Sequence, residues 1–158
     1  MSIYPCETSL LNGQNIFKSD DIIHFIGTAD ELNSHLGLIK ALLSDKESKQ
    51  FLEEVQKNIM RIMSHASDPS NEKYFLSGDE SAVLEKETDK ISAKLPELSQ
   101  FILPGRCVTE AQIHITRTIA RRAERLFMAV NSAQTFCLQT GVYLNKLSDY
   151  LFALSRLV

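Results

Sequence analysis

The sequence predicts an all-α fold in which five helices form an antiparallel, up-and-down bundle. Apolar residues recur at helical spacing along several segments, and no segment shows the strict alternation of a half-buried strand. The 158 residues include only six Gly and four Pro. A chain of this length favours one domain, so we expect 1–158 to form a single helical bundle, with 1–27 as an irregular N-terminal segment.

Capping boxes mark the expected starts of two helices. Thr28-Ala29-Asp30-Glu31 predicts the start of the first, because a Thr hydroxyl and a Glu carboxylate three residues apart can satisfy each other's backbone amides. A second helix is predicted over 47–66. Ser77-Gly78-Asp79-Glu80 predicts the start of the third, which Pro96 closes. The remaining two are expected over 109–130 and 138–157, and short links between such helices favour antiparallel packing.

Composition excludes several classes of function. The net charge of −3 and pI of about 5.8 argue against general binding to nucleic acid or to anionic membranes. Three cysteines without a CxxC pair argue against a disulfide framework or a zinc site, and favour the reducing cytoplasm. We find no signal-peptide pattern and no apolar run long enough to span a membrane.

The fourth helix contains an arginine cluster. Arg117, Arg121 and Arg125 lie four residues apart and share one face, with Arg122 and Glu124 beside them. Like charges at this spacing cost about 0.2–0.5 kcal/mol per pair, and a polyphosphate would offset that cost because guanidinium groups match phosphate oxygens in pairs. The alternative is a solvated or ion-paired face, whose arginines meet acids of other helices. The two interpretations are compatible, because some arginines can pair with acids while others face a ligand. A helix that binds nucleic acid fits poorly with the interleaved glutamate.

Three other residues have two interpretations each. Asp30 is either an acid that favours the helix dipole or the partner of an arginine. Asn145, midway along the apolar fifth helix, is a hydrogen-bonded core residue or a ligand contact. Phe101 begins the apolar loop Phe101-Ile102-Leu103-Pro104-Gly105 and either packs or contacts a ligand. We find no phosphate-binding glycine loop and no arrangement typical of a side-chain nucleophile.

Two acid–histidine pairs suggest a metal centre as a weaker alternative. Glu31 and His35 are four residues apart, as are Glu110 and His114. Di-iron bundles use Glu-x-x-His spacing with further carboxylates, which neither pair has. We therefore expect helix-surface pairs, and no metal bound by the protein alone.

Four segments, in order and spacing, resemble the PduO-type ATP:cob(I)alamin (corrinoid) adenosyltransferases. They are GTADELNS at 27–34, FILPG at 101–105, RTIARRAER at 117–125 and YLNKLSDYLF at 143–152. The resemblance implies a ferritin-like, cobalamin adenosyltransferase-like bundle that assembles as a homotrimer with sites between subunits. It also implies transfer of the 5′-deoxyadenosyl group of ATP to the cobalt(I) of a reduced corrinoid, with release of triphosphate and with Mg²⁺ carried by ATP.

The resemblance assigns roles around ATP. Arg121 and Arg122 would hold the polyphosphate, and Glu124 would orient that region. The N-terminal residues Thr8, Ser9 and Lys18 match positions near ATP.

It assigns further roles around the corrin ring. Phe101 would press on the lower face of the ring and exclude the axial ligand of the cobalt. Asn145 would lie near the corrin or the nucleotide, and Arg117 would pair with Asp30 across a subunit boundary.

The chain departs from the family pattern in three places. The glycine-rich part of the N-terminal phosphate loop is missing after Ile3-Tyr4, and Pro5 has no amide to donate to a phosphate. Arg106 stands in place of a second Gly, where it would crowd the corrin pocket or add a phosphate contact. Lys146 replaces an Arg. The alternative function is therefore a non-catalytic relative that binds corrinoid or only assembles.

Overall fold

The computed structural model describes residues 6–131 and 136–158, which contain five α-helices and one short β-hairpin. The helices are α1 (Asp21–Leu42), α2 (Lys46–Ser67), α3 (Asp79–Ser92), α4 (Val108–Val130) and α5 (Gln139–Leu157), with a 3-10 turn at Glu72–Tyr74. α1 packs against α2 and α4, α4 packs against α5, and α5 packs against α3. The predicted all-α helical bundle is confirmed.

The centre of the bundle lies where α4 packs between α1 and α5. Ala120 and Ala123 of α4 are fully buried there, and such small side chains let neighbouring helices approach closely. Leu32 and Leu36 of α1 and Leu147 of α5 are also fully buried. Within the described part of the chain, no helix has the length and apolarity that crossing a membrane requires.

The first helix begins earlier than predicted. Asp20 is its N-cap, with a side-chain oxygen that accepts from the Ile22 amide at 3.0 Å, so Thr28 lies inside the helix rather than at its start. Ile22 and Phe25 are buried on the core side of the first two turns. The capping-box interpretation of 28–31 is therefore wrong, because core packing of the preceding apolar residues extends the helix through the pattern.

The N-terminal segment is also more ordered than predicted. β1 (Glu7–Ser9) pairs antiparallel with β2 (Asn15–Phe17), and Gly13 adopts a φ of 82° in the turn between them. The tip of the hairpin is held on the end of α2, where Ser67 Oγ accepts from the Leu11 amide at 2.8 Å. Three-residue strands are too short to show a periodic pattern, so the sequence did not predict them.

The second capping box is confirmed in part. Glu80 accepts from the Ser77 amide at 3.0 Å, as expected. The Ser77 hydroxyl accepts from the Asp79 amide instead of from Glu80, and Gly78 is the N-cap residue with a φ of 106°. Glu80 also binds Arg61 of α2 at 2.6 Å, and this salt bridge attaches the start of α3 to α2.

Candidate functional site

The arginines of α4 lie at the edge of the helix, beside its buried face. Arg121, Arg122 and Arg125 are exposed, whereas Arg117 is half-buried. This arrangement follows from helical periodicity, since the positions between them, including Ala120, are taken up by the core. Arg121 and Arg125 therefore share the exposed side of the helix, as their spacing predicted, with Arg122 exposed beside them, whereas Arg117 is partly covered by the protein.

Arg122 forms a salt bridge with Glu31 of α1, and both side chains remain nearly half exposed. The ion-paired interpretation of the cluster thus holds for this residue. Arg121 and Arg125 make no hydrogen bond or salt bridge within residues 6–131 and 136–158. A guanidinium has five donors, so Arg122 keeps donors for a further acceptor.

Glu124 and Asn145 join α4 to α5 beside the arginines. The Asn145 amide nitrogen donates to Glu124 Oε1 at 3.0 Å, and Asn145 is exposed. The alternative that placed Asn145 in the core is therefore wrong, because it lies on the solvent side of the helix, between the buried Leu144 and Leu147. The other interpretation, in which Asn145 contacts a ligand, is compatible with its location at the surface.

Arg117 and Asp30 do not pair within one chain. The guanidinium carbon of Arg117 lies 5.9 Å from the centroid of the Phe152 ring, a cation–π contact, and its Nε is buried without a hydrogen-bond partner in the described part of the chain. Asp30 is exposed on α1. The predicted pair across a subunit boundary stays a prediction.

The apolar loop between α3 and α4 projects into solvent. Phe101 is 102% exposed and Leu103 is 90% exposed. The loop borders a cavity of about 490 Å³ at the end of the bundle. Its lining includes Leu95, Pro96, Phe101, Arg106, Glu110 and Arg156. Exposure of a Phe to this extent excludes simple packing within the single chain.

Glu110 and Arg106 fix the base of this loop. Glu110 accepts from the amides of Gly105 at 2.8 Å and Arg106 at 3.0 Å, and its Oε1 lies 3.2 Å from Nε2 of His114. The Arg106 side chain bonds the carbonyl oxygens of Ser155 and Val158 at the end of α5. Arg106 thus binds the protein, although it also borders the cavity. The sequence predicted Glu110 and His114 to form a helix-surface pair, with a metal site as the weaker alternative. The surface location is wrong, because both side chains are buried at the base of the loop. The place of Glu110 three residues after Cys107 is a capping-box spacing that could have indicated its bonds to the loop.

Both acid–histidine pairs have other partners. Glu31 binds Arg122, and His35 Nδ1 contacts the side-chain amide of Gln112. Glu110 binds the loop amides. No group of three or more His, Cys, Asp or Glu side chains within the described ranges is placed to hold a metal ion.

The N-terminal candidates lie on the hairpin. Thr8 is opposite Ile16, and the Ser9 hydroxyl donates to Asn15 Oδ1 at 2.7 Å. Lys18 follows β2 and is exposed. Ile3, Tyr4 and Pro5 lie outside the described residues.

Lys146, the departure in the fifth helix, binds Glu85 of α3 at 2.6 Å. This salt bridge links α5 to α3, so Lys146 has a structural partner in the single chain, whereas the preceding Asn145 bonds Glu124 of α4.

Comparisons with known proteins identify the family of the chain. The family model described as cobalamin adenosyltransferase matches residues 6–158. The chain is 35% identical over 153 residues to the corrinoid adenosyltransferase PduO of Salmonella typhimurium, covering 94% of this chain and 46% of that protein. It is 36% identical to a cobalamin adenosyltransferase of Cupriavidus metallidurans, covering 96% and 82%.

A solved structure supports the same assignment. It is a variant of the PduO-type ATP:corrinoid adenosyltransferase of Lactobacillus reuteri, complexed with cobalamin and ATP, and it superposes with a TM-score of 0.88 at 28% identity over 96% of this chain and 87% of that one. The chain spans about half the length of the Salmonella relative and most of the others named here. With the family match over nearly all of its residues, the chain belongs to the cobalamin adenosyltransferase family.

Proposed function

We propose that this protein transfers the 5′-deoxyadenosyl group of ATP to the cobalt(I) of a reduced corrinoid. The observation that carries the proposal is the face formed by Arg121, Arg122, Glu124 and Asn145, in a chain that also presents an exposed Phe101. The Lactobacillus structure complexed with cobalamin and ATP supports both substrates.

The arginines of α4 would hold the triphosphate. Arg121 is exposed without a protein partner among the described residues, and Arg122 retains free donors beside Glu31. Bidentate guanidinium–phosphate bonds give both affinity and orientation. Glu124, held by Asn145 at 3.0 Å, would orient this region, and Thr8, Ser9 and Lys18 of the hairpin would complete the nucleotide site.

Phe101 would contact the lower face of the corrin ring. Its side chain is already free of packing contacts, and its loop borders the cavity at the end of the bundle. A phenyl ring there would exclude the axial ligand of cobalt(II), and four-coordinate cobalt(II) is easier to reduce. Asn145 would lie near the corrin or the nucleotide.

The reaction needs no side-chain nucleophile. The electron pair of cobalt(I) forms the bond to C5′ of ATP, the C5′–O bond breaks, and the triphosphate leaves with the electron pair of that broken bond. The protein's contribution is positioning and stabilisation of the leaving charge by guanidinium groups. The described residues do not provide a metal site, so we propose that Mg²⁺ enters on the phosphates of ATP, where it would neutralise charge.

We further propose a cytoplasmic homotrimer with sites between subunits, which binds neither nucleic acid nor membranes. The half-buried Arg117, whose Nε lacks a hydrogen-bond partner in the described part of the chain, would meet Asp30 of a neighbouring subunit. Sites at such a boundary would bring the hairpin of one subunit to the arginines of another.

The activity can be tested by anaerobic absorbance spectroscopy. The protein is mixed with cob(I)alamin, ATP and Mg²⁺, and the spectrum of a cobalt–carbon bonded corrinoid is expected to grow with time. Omission of ATP is the control, and light should reverse the spectrum because it cleaves the cobalt–carbon bond. No spectral change with ATP at high protein concentration rejects the activity.

A second candidate function is corrinoid binding without use of ATP. The salt bridge between Arg122 and Glu31 favours it, since one of the two proposed phosphate ligands already has a carboxylate partner. Calorimetric titration separates the candidates. Binding of cobalamin without binding of Mg-ATP supports the second, and binding of both supports the transferase.

A further inference from the structure

The first turn of α4 holds an acidic side chain that the proposed substrate contacts do not use. Glu110 is only 2% exposed, although it borders the cavity beside Phe101. Burying an ionised carboxylate costs free energy unless hydrogen bonds and opposite charge compensate. A buried acid at this position therefore requires an explanation.

Its partners belong to the loop that precedes the helix. Glu110 Oε2 accepts from the Gly105 amide at 2.8 Å and from the Arg106 amide at 3.0 Å. The hydrogen bond from Gly105 is the main reason that the pKa of Glu110 lies below its usual value, so the group is ionised at neutral pH. The other carboxylate oxygen lies 3.2 Å from His114 Nε2, without the angle of a hydrogen bond.

The same two loop residues are held from a second side. Gly105 has a φ of 122°, a conformation that other L residues rarely adopt, and this turns successive amides toward the carboxylate. The Arg106 side chain reaches across to the carbonyl oxygens of Ser155 in α5 and of Val158, which follows the helix. The end of the loop is therefore fixed both to α4 and to α5.

The beginning of the loop, in contrast, has free side chains. Phe101, four residues before Gly105, is fully exposed, and so is most of Leu103. A loop whose backbone is fixed at one end can hold its projecting apolar side chains in position to contact a ligand.

We propose that Glu110 is a positioning residue, which sets the location of Phe101 under the corrin by holding the Gly105 and Arg106 amides. The inference rests on the proposed adenosyl transfer. Phe101 would have to lie directly against the lower face of the corrin. A shift of about 1 Å in its position is enough to slow such a reaction substantially.

The competing explanation is a helix cap with no effect on the reaction. Glu80 provides a matched case, because it accepts a backbone amide at the start of α3, from Ser77 at 3.0 Å, and has no part in the proposed site. A variant of Glu80 therefore controls for loss of a carboxylate that caps a helix away from the proposed site, and it also removes the salt bridge with Arg61.

The experiment compares Glu110→Ala, Glu110→Gln and Glu80→Ala with the wild type. Amide hydrogen exchange of residues 101–107 is measured without ligand. Electron paramagnetic resonance of cob(II)alamin with Mg-ATP gives the four-coordinate fraction, and steady-state kinetics give kcat and the KM for ATP.

We expect exchange in Glu110→Ala to be about tenfold faster or more, because the acceptor is lost. The four-coordinate fraction should fall, and kcat should fall about tenfold, while the KM for ATP changes less than about twofold. Glu110→Gln keeps an acceptor oxygen and should be intermediate. Glu80→Ala should lower the thermal midpoint and leave the loop exchange, the cobalt spectrum and kcat unchanged.

Two results overturn the inference: unchanged exchange in both Glu110 variants, or faster exchange with an unchanged four-coordinate fraction and kcat. If Glu110→Ala does not fold, Glu110→Gln decides by the same criteria. A wild type that never forms the product rejects the proposed function instead. The exchange measurement needs no corrinoid and can be made even on a protein without transferase activity. Unchanged exchange in both Glu110 variants would overturn the proposed role of Glu110 in that case as well.

Discussion

At the residue scale, the arginines of α4 differ in their partners although they share one helix. Arg122 binds Glu31, which lies 91 positions earlier in the chain, and Arg117 lies over Phe152. Arg121 makes no such contact among the described residues. Helical spacing predicted that Arg117, Arg121 and Arg125 share one face of the helix. The pairing of Arg122 with Glu31 was not predictable in this way, because it forms only when α1 packs against α4.

Replacement of Arg121 by alanine should weaken binding of Mg-ATP by roughly 10- to 100-fold, because hydrogen bonds to charged groups contribute about 1.5–3 kcal/mol. Titration calorimetry measures the affinity. Arg125→Ala, one turn further along the same helix and also exposed, is the control and should bind ATP like the wild type. Loss of helicity in Arg121→Ala would show that the residue is structural.

At the scale of the element, the start of α1 was misplaced by the local sequence pattern, although the starts of α2, α4 and α5 were predicted to within one residue. The pattern at 28–31 satisfies the local rule for a capping box, yet α1 already begins at Asp21. The burial of Ile22 and Phe25 supplies free energy that a local pattern does not contain. The rule succeeded better at Glu80, where a glycine N-cap precedes the helix and no apolar turn extends it.

Asp20→Ala should lower the free energy of unfolding by about 1 kcal/mol, the usual cost of removing an N-cap. Urea denaturation provides the measurement. Thr28→Ala should be neutral or slightly stabilising, because alanine has the higher helix propensity inside a helix. The opposite ranking of the two variants contradicts a start at Asp21.

The attachment of α3 to α2 should weaken in acid. Burial alone would raise the pKa of Glu80, but the hydrogen bond and charge of Arg61, with the hydrogen bonds at Ser77, outweigh burial and lower the pKa from 4.5 to about 2. Below pH 4.5 the unfolded chain therefore binds a proton that the folded chain does not, and stability falls as the pH decreases toward 2.

The contribution lost across this range is about 2–3 kcal/mol. It should appear as the difference between the wild type and Glu80→Gln in urea denaturation at pH 6 and at pH 3. A constant difference between the two proteins over this range would show that the salt bridge with Arg61 does not stabilise the fold.

At the scale of the whole molecule, exposed apolar side chains lie on the helices that would form the proposed subunit boundary. Leu38 of α1 is 45% exposed and Ile115 of α4 is 48% exposed, on the two helices that carry Asp30 and Arg117. The proposed trimer would cover these side chains, because the buried centre of a subunit interface is more apolar than the rest of the surface.

We expect light scattering to give about three times the chain mass of 17.8 kDa. Asp30→Arg should reduce the trimer fraction, since it places two cations together, and the double variant Asp30→Arg with Arg117→Asp should restore it. A wild type that remains a monomer at high concentration contradicts the assembly, and failure of the double variant to recover contradicts this particular pair.

The sequence by itself determined the helical class, the positions of α2, α4 and α5 to within a residue or two, and the four segments that identify the family. These are properties of periodicity and of short contiguous motifs. Tertiary structure decided the start of α1, the hairpin, the partner of Arg122, the surface location of Asn145 and the role of Glu110 at the loop amides. The physical reason is that each of these depends on which surfaces the packed helices bring together, and on the burial that results.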